Sequence, residues 1–199
     1  MRLVDRFLES PLAYSLWQAP FAGRKFAPIA SHVDVSDASR VLDVGCGPGT
    51  NRRRFRHASY VGVDLNPRYV RRARARAGGS YVVADVAHLP LAQSASFDFI
   101  LVNSLLHHIS TPQVENLLDR LAGLLAPAGR IHILDLVLAR RGATARLLAK
   151  HDRGSYPRPW DDWMVLLSRR FQPVIAEGYS IDLLGLPLWH MIYFQGRTE

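Results

Sequence analysis

Apolar positions change period several times along the chain. Between Leu3 and Trp17 they fall at 3, 4, 7, 8, 12, 16 and 17, close to the spacing of one helix face, with an interruption at Pro11. Phe26, Ile29, Ala30 and Val33 predict a second, short helix. From position 40 the pattern becomes short, solid apolar runs. Arg40–Val44, Tyr60–Asp64, Ser80–Ala84, Phe97–Val102 and Arg130–Val137 read as buried strands. Helical spacing returns between them. Pro67 to Ala77 is one helix, stopped by Gly78-Gly79. Pro112 to Ala126 is another, with Val114, Leu117, Leu118, Leu121, Leu124 and Leu125 facing inward and Pro127-Ala128-Gly129 as the stop. Asp161 to Phe171 reads as a helix, and Val174–Glu177 and Trp189–Phe194 as two late strands without a clear helix between them. Strands alternating with helices predict an α/β fold: a doubly wound, mainly parallel seven-stranded sheet covered on both faces, with the late pair as an antiparallel edge. The expected organisation is a single domain over 1–199, divided into an N-terminal helical segment (1–37), a core (38–137) and a C-terminal part of loop, helix and edge strands (138–199).

Composition narrows the class. With 48% apolar and 21% charged residues the chain is globular rather than disordered. One cysteine excludes an internal disulfide and a cage of several thiolates around zinc. The opening stretch, Met1 to Tyr14, mixes charges into its apolar residues, so it reads as neither a secretory signal nor a membrane span, and no run of about 18 apolar residues occurs. A cytoplasmic protein is the expectation, with no metal site. The net charge is +8, from 23 arginines and 2 lysines against 17 acids. Nine of those arginines (52, 53, 54, 56, 68, 71, 72, 74 and 76) lie between Asn51 and Ala77 with one acid, Asp64, so this stretch carries the whole excess. Such a field attracts nucleic acid, phosphorylated substrates or acidic membranes, and the alternative is a set of solvated helix faces.

The most informative segment is Val41-Leu-Asp-Val-Gly-Cys-Gly-Pro-Gly-Thr-Asn51. Glycines at 45, 47 and 49 clear side chains where a strand turns sharply into a helix, so that a ligand can approach the backbone near the helix start. In open α/β sheets ligands bind at the carboxyl ends of the strands. The dinucleotide fingerprint requires Gly or Ala at position 50, which is Thr50, and Pro48 lacks the N–H a pyrophosphate would use. A phosphate-binding P-loop is absent. Further polar residues stand at the following strand ends. Asp64, 21 residues after Asp43, can accept both hydroxyls of a ribose. Asp85 closes the third strand, where a carboxylate can accept from an exocyclic amine, and Asn103 closes the fourth. Each acid alone has a simpler reading as a cap or turn residue; together they form a pattern.

These segments resemble the class I, Rossmann-like S-adenosylmethionine-dependent methyltransferases over roughly residues 38–137. Val41–Thr50 resembles the family's first motif, which wraps the methionine portion of the cofactor. Tyr60–Asn66 resembles the second, and the resemblance implies that Asp64 holds the ribose with Leu65 beside the adenine. Val83–Leu91 resembles the third, implying Asp85 and Val86 at the adenine. Phe97–Ile109 resembles the fourth strand and its exit, and Leu124–Asp135 the helix and strand that follow, with Pro127-Ala128-Gly129 where the family more often has Pro-Gly-Gly. The resemblance implies S-adenosylmethionine as cofactor, held by Asp43, Gly45, Cys46, Gly47, Gly49, Asp64, Leu65, Asp85, Val86 and Asn103. It implies methyl transfer by in-line displacement and says little of the substrate; the compact chain, with no appended recognition domain, favours a small-molecule acceptor reacting through O, N or C. Cys46 reads as a small buried filler of the turn.

Displacement at a sulfonium needs alignment, and a base only when the acceptor carries a proton that must leave. His107 and His108 are the candidate bases, since imidazole titrates near neutrality. His88, His132 and His190 lie in strands or their flanks and read as structural, and Asp135 ends the fifth strand where it can face a site. Tyr14 and Gln18, four apart on a helix that resembles a lid, and Tyr156, Arg158 and Trp160 in the loop after the fifth strand are the candidate substrate-side residues. Two other functions compete: a nucleic-acid methyltransferase using the arginine-rich face, and a non-catalytic subunit that keeps the fold. The fourth-strand exit, Val-Asn-Ser-Leu, lacks the Asn/Asp-Pro-Pro-aromatic motif of amino-adenine methylation. The lone cysteine in the glycine turn does not suit the cytosine-C5 type, which uses a thiol elsewhere.

Overall fold

A computed structural model describes residues 11–92, 96–138, 156–183 and 186–198, with side chains at 11–20, 87, 183 and 186 left out. Its seven strands are β1 (Arg40–Val44), β2 (Ser59–Asp64), β3 (Ser80–Val83), β4 (Phe97–Asn103), β5 (Leu125–Leu136), β6 (Gln172–Leu183) and β7 (Leu186–Arg197). Their order is β3-β2-β1 within the first of two compact units and β4-β5-β7-β6 within the second. The helices are α1 (Pro11–His32), α2 (Pro67–Arg76), α3 (Thr111–Leu124) and α4 (Trp160–Ser168). The chain divides into two compact units, Met1–Pro90 and Leu91–Glu199.

In the N-terminal unit β1, β2 and β3 pair in parallel, with Val41 opposite Tyr60, Asp43 opposite Gly62 and Asp64 opposite Val83. β1 is buried from Val41 to Val44, as its unbroken apolar run predicts. α2 starts where Asn66 accepts a hydrogen bond from the Arg68 N–H at 2.9 Å and Pro67 opens the first turn. It ends before Gly78 and Gly79, both at positive φ. Two expectations change here. Residues 11–32 form one helix running through Pro20 and Pro28, rather than a helix to Trp17 and a separate short one over Phe26–Val33; it begins at Pro11, and the stretch before that proline lies outside the described residues. Phe21, Pro28 and Ile29 are buried along one side of it, so packing outweighs the lost proline N–H groups. After the glycine turn the chain forms a single 3-10 turn, Arg52–Arg54, instead of a helix.

In the C-terminal unit β4 and β5 are parallel, whereas β7 pairs antiparallel with both β5 and β6. The antiparallel edge is therefore a long hairpin, and the two late strands are each 12 residues rather than four and six. α3 carries a reciprocal cap, in which the Ser110 N–H donates to Gln113 Oε1 at 3.0 Å, and buries Val114, Leu117, Leu118, Leu121 and Leu124 as expected. Leu125 leaves the helix. β5 begins there, and its pairing with β4 shifts register between Phe97 and Phe99 before the regular run from Arg130. Gly129 sits in that irregular lead-in, where an added Cβ would stand 2.8 Å from the Phe97 carbonyl oxygen.

Candidate functional site

The glycine turn of the N-terminal unit is built from backbone conformations that side chains disfavour. Gly45, Gly47 and Gly49 have φ of 75°, 55° and 79°. The Gly45 and Cys46 N–H groups donate to the Val63 carbonyl at 2.8 and 3.0 Å, which stitches the turn to β2. Its last glycine has a packing role: a Cβ on Gly49 would stand 2.9 Å from Ala73 Cβ, 3.0 Å from Ala77 Cβ and 3.0 Å from the Tyr81 hydroxyl. Gly62, which sequence reasoning passed over, does similar work. A Cβ there would meet the Tyr81 ring at 2.6 Å and the Cys46 sulfur at 2.9 Å. The Cys46 thiol is buried, and burial pushes it far above the thiolate range, so it fills space rather than attacks.

Asp64 ends β2 and folds back onto the turn. The Gly47 N–H donates to its Oδ2 and the Asn66 N–H to its Oδ1, both at 2.8 Å. Burial raises its pKa against those two bonds. A carboxylate offers about four lone-pair sites, so two acceptor positions remain on a group already fixed in orientation. Leu65 follows, 67% exposed, an apolar surface beside that carboxylate. Asp85 lies just past β3, half exposed, with Oδ2 4.0 Å from His88 Nδ1. Val86 is buried in the 3-10 turn Val86–His88. His88 is itself exposed, so it does not pack as a structural histidine.

Asp43 lies beneath the turn, fully buried. Its Oδ2 accepts from the Tyr60 hydroxyl and from Asn51 Nδ2, the latter at 3.0 Å. Its Oδ1 has no hydrogen-bond partner among the described residues. Burial pushes this carboxyl up to about 6, against the two hydrogen bonds, and the charge of Asp64 adds to the rise. The sequence marked Asp43 and missed Tyr60 and Asn51. Only the parallel register, which puts Tyr60 two positions before the residue opposite Asp43 and on the same face, reveals the contact.

The C-terminal unit holds a second buried polar cluster. Asp135, fully buried near the end of β5, accepts from the Leu106 N–H at 2.7 Å and lies 2.6 Å from His107 Nδ1. Burial alone would raise its pKa; the neighbouring His107 and three hydrogen bonds outweigh that and hold the carboxylate below its usual range. An acidic partner this close makes Nδ1 the proton-bearing nitrogen of His107. His107 is buried and His108 exposed, their rings 4.1 Å apart. Asn103, half-buried at the end of β4, accepts from the Ser104 hydroxyl at 3.1 Å, and Ser104 has a φ of 54°. A non-glycine residue at positive φ at a strand exit marks a local strain that sequence alone does not show.

Arg158, expected on the substrate side, is instead a buried clamp. Its guanidinium donates to the carbonyls of Leu106 and Ile109 at 2.9 Å each, to that of Tyr156 at 3.2 Å and to the Thr111 hydroxyl. It also lies 5.0 Å from the centre of the Trp163 ring. Its five donors are spent on framing the 3-10 turn Leu106–His108. Tyr156 is 45% exposed and its N–H donates to the His107 carbonyl at 2.9 Å. Trp160 opens α4 half-buried. Tyr14 and Gln18 fall on α1, and their side chains lie outside the described residues. His132 is structural as expected, stacked on Phe99 with ring centres 3.9 Å apart.

Residues 41–129 match the family model of a methyltransferase domain. A trans-aconitate 2-methyltransferase of Rhodopseudomonas palustris (strain BisB18) is 31% identical over 177 residues, which cover 83% of this chain and 65% of that protein. The methyltransferase GfsG of Streptomyces halstedii is 35% identical over 117 residues, 53% of this chain and 41% of that protein. The chain thus spans just under two thirds of the length of the trans-aconitate relative. Among solved structures, the N-methyltransferase NodS from Bradyrhizobium japonicum WM9, in complex with S-adenosyl-L-homocysteine, superposes with a TM-score of 0.69 at 17% identity, covering 88% of this chain and 86% of that one. The glycine turn stitched to β2 and the oriented aspartate at the end of that strand both lie within the segment that matches the methyltransferase-domain model.

Proposed function

We propose that the protein is an S-adenosylmethionine-dependent methyltransferase acting on a small-molecule acceptor, as the names of its relatives suggest for them. The observation that carries this is Asp64, whose carboxylate is fixed by two backbone N–H groups with acceptor capacity left over for a ribose. The rest of the N-terminal unit fits the same ligand. Gly45 and Gly47 leave the turn bare, and Leu65 presents an apolar face. Asp85 and Val86 complete the set that this unit offers the cofactor. When bound, the cofactor would supply an activated methyl group. In the C-terminal unit the Asp135–His107 pair is assigned to proton handling when the acceptor is a hydroxyl or protonated amine, with His108 beside it. Tyr156, exposed next to that pair, is assigned to the substrate side, together with Trp160, Tyr14 and Gln18.

Calorimetric titration with S-adenosylhomocysteine tests the reading. The unaltered protein should bind, and Asp64→Ala, checked for folding by circular dichroism, should lose about 100-fold or more in affinity, because two hydrogen bonds to a charged acceptor vanish. Absent heat for the unaltered protein, or equal affinity for the variant, overturns it.

A further inference from the structure

The arginines of the N-terminal unit have no part in the site described above. Between Phe21 and Pro90 stand twelve basic residues against five acids. Of those acids, Asp43 is buried and Asp64 is folded onto the backbone of the glycine turn. Arg52, Arg54 and Arg74 donate to nearby carbonyls. Arg53, Arg56, Arg68, Arg71 and Arg76 are exposed and Arg72 is half-buried. The side chains of these six make no hydrogen bond or ion pair among the described residues.

The six lie on neighbouring elements. α2 leaves the carboxyl end of β2 and returns to the amino end of β3, carrying Arg68, Arg72 and Arg76 four apart with Arg71 between them. The Arg52–Arg54 turn, with Arg56 just after it, lies at the far end of that helix: a Cβ on Gly79 would stand 3.4 Å from Arg52 Nε. This arrangement works against stability. Like charges four apart on a helix repel, and Arg68 stands in the first turn, where the helix dipole disfavours a cation. α2 contains no acid to relieve either effect.

We propose that α2 and the Arg52–Arg56 segment form a docking surface for the phosphodiester backbone of a nucleic-acid duplex, bound without regard to base sequence. A guanidinium can pair two phosphate oxygens at once. The row from Arg68 to Arg76 spans about 12 Å, and a duplex carries one negative charge per roughly 1.7 Å of its axis. Charge of that density relieves the repulsion along the helix. Two features select the duplex over other polyanions. The described aromatic side chains of this unit are buried, so none is offered to unpaired bases for stacking. Tyr69, Val70 and Ala73, the apolar residues on the inner side of α2, are buried as well, so the helix has no apolar face to enter a bilayer. The surface runs away from the carboxyl ends of the strands, so the duplex is held there and is not the methyl acceptor.

Fluorescence anisotropy of labelled DNA and RNA duplexes of mixed sequence, about 20 base pairs long, tests the proposal, and binding of either supports it. The logarithm of affinity should fall against that of salt concentration with a slope of about −3 to −5, or roughly 100-fold between about 50 and 200 mM. Arg71→Gln/Arg72→Gln/Arg76→Gln should flatten the slope by about 2–3 and weaken binding about 30-fold or more at the lowest salt. Arg53→Gln/Arg56→Gln, which leaves the helix untouched, should flatten it by about 1–2. Arg169→Gln/Arg170→Gln/Arg197→Gln removes the same charge as the triple helix variant from exposed positions of the C-terminal unit and should leave the slope unchanged. Four results overturn the proposal: no duplex binding at the lowest salt, an equal loss in the C-terminal variant, tighter binding of a single strand of the same sequence, or binding to phosphatidylserine vesicles under conditions where neither duplex binds. Calorimetry with S-adenosylhomocysteine should give the same affinity for all variants. Failure of the duplex titrations therefore leaves the cofactor reading standing, and failure to bind S-adenosylhomocysteine leaves this one.

Discussion

His132 shows how burial decides what a titratable residue does. It sits inside the C-terminal unit with its ring parallel to Phe99 within 8° and its Nδ1 3.1 Å from the Tyr193 hydroxyl. Burial, with the charge of Arg130 adding to it, pushes the imidazole down to about 3. The unfolded chain therefore takes up a proton near pH 6.5 that the folded chain refuses. This part of the stability is complete above that pH and is lost as pH falls toward 3. Asp43, raised to about 6, has the opposite sign and gains stability over part of the same range. Urea unfolding of His132→Phe at pH 7 and pH 4 should show a smaller drop between the two than the unaltered protein shows. An equal drop would assign the acid sensitivity to other groups. That His132 is structural was legible from its place inside a strand, whereas His107 and Asp135 are 28 residues apart and only the fold makes them a pair.

At the scale of elements, the glycine turn divides its work unevenly. The spacing 45, 47, 49 announced a bare turn, and all three positive φ values agree. It did not announce that the third glycine serves α2. Gly49→Ala combines a left-handed conformation, costing about 1–2 kcal/mol, with overpacking against Ala73 and Ala77, typically about 1–3 kcal/mol. Urea unfolding should show a loss of about 2–4 kcal/mol, and a loss below about 1 kcal/mol would mean that α2 moves freely aside. The α1 helix makes the complementary point. Local rules break a helix at proline, and burial of one face carried it through two of them. The same logic extends β6 and β7, because twelve-residue strands gain from pairing with each other more than their weak alternation suggests.

For the molecule as a whole the charge is the dominant feature, and the fold redistributes it. Arg74 donates twice to the Tyr81 carbonyl, Arg54 reaches the Ala22 carbonyl and lies over Phe26, and Arg52 covers Tyr60. Those three belong to the framework of the N-terminal unit. Arg68, Arg71, Arg72 and Arg76 remain on α2 at helical spacing, three of them exposed, and repel one another. Arg72→Glu places an acid four residues from both Arg68 and Arg76 and should stabilise by about 0.5–1 kcal/mol. Calorimetric melting should show a higher transition temperature for the variant at low salt, and the gap should narrow at 0.3 M salt, roughly where screening shortens to a few ångströms. A gap independent of salt would locate the effect in packing instead.

What the sequence determined by itself is local and periodic: which runs are strands, where the chain turns, that Asp64 ends a strand beside a glycine turn, and the family those motifs resemble. Short-range sterics and hydrophobic period fix such features within a dozen residues. Tertiary structure decided the rest, because burial and pairing are properties of distant segments brought together. It buried Asp43 against the Tyr60 hydroxyl, turned Arg158 from an expected substrate contact into a clamp on the loop bearing His107, and gave that histidine its carboxylate. A side chain's chemistry is set by the dielectric and the donors around it, and neither is written in its neighbours along the chain.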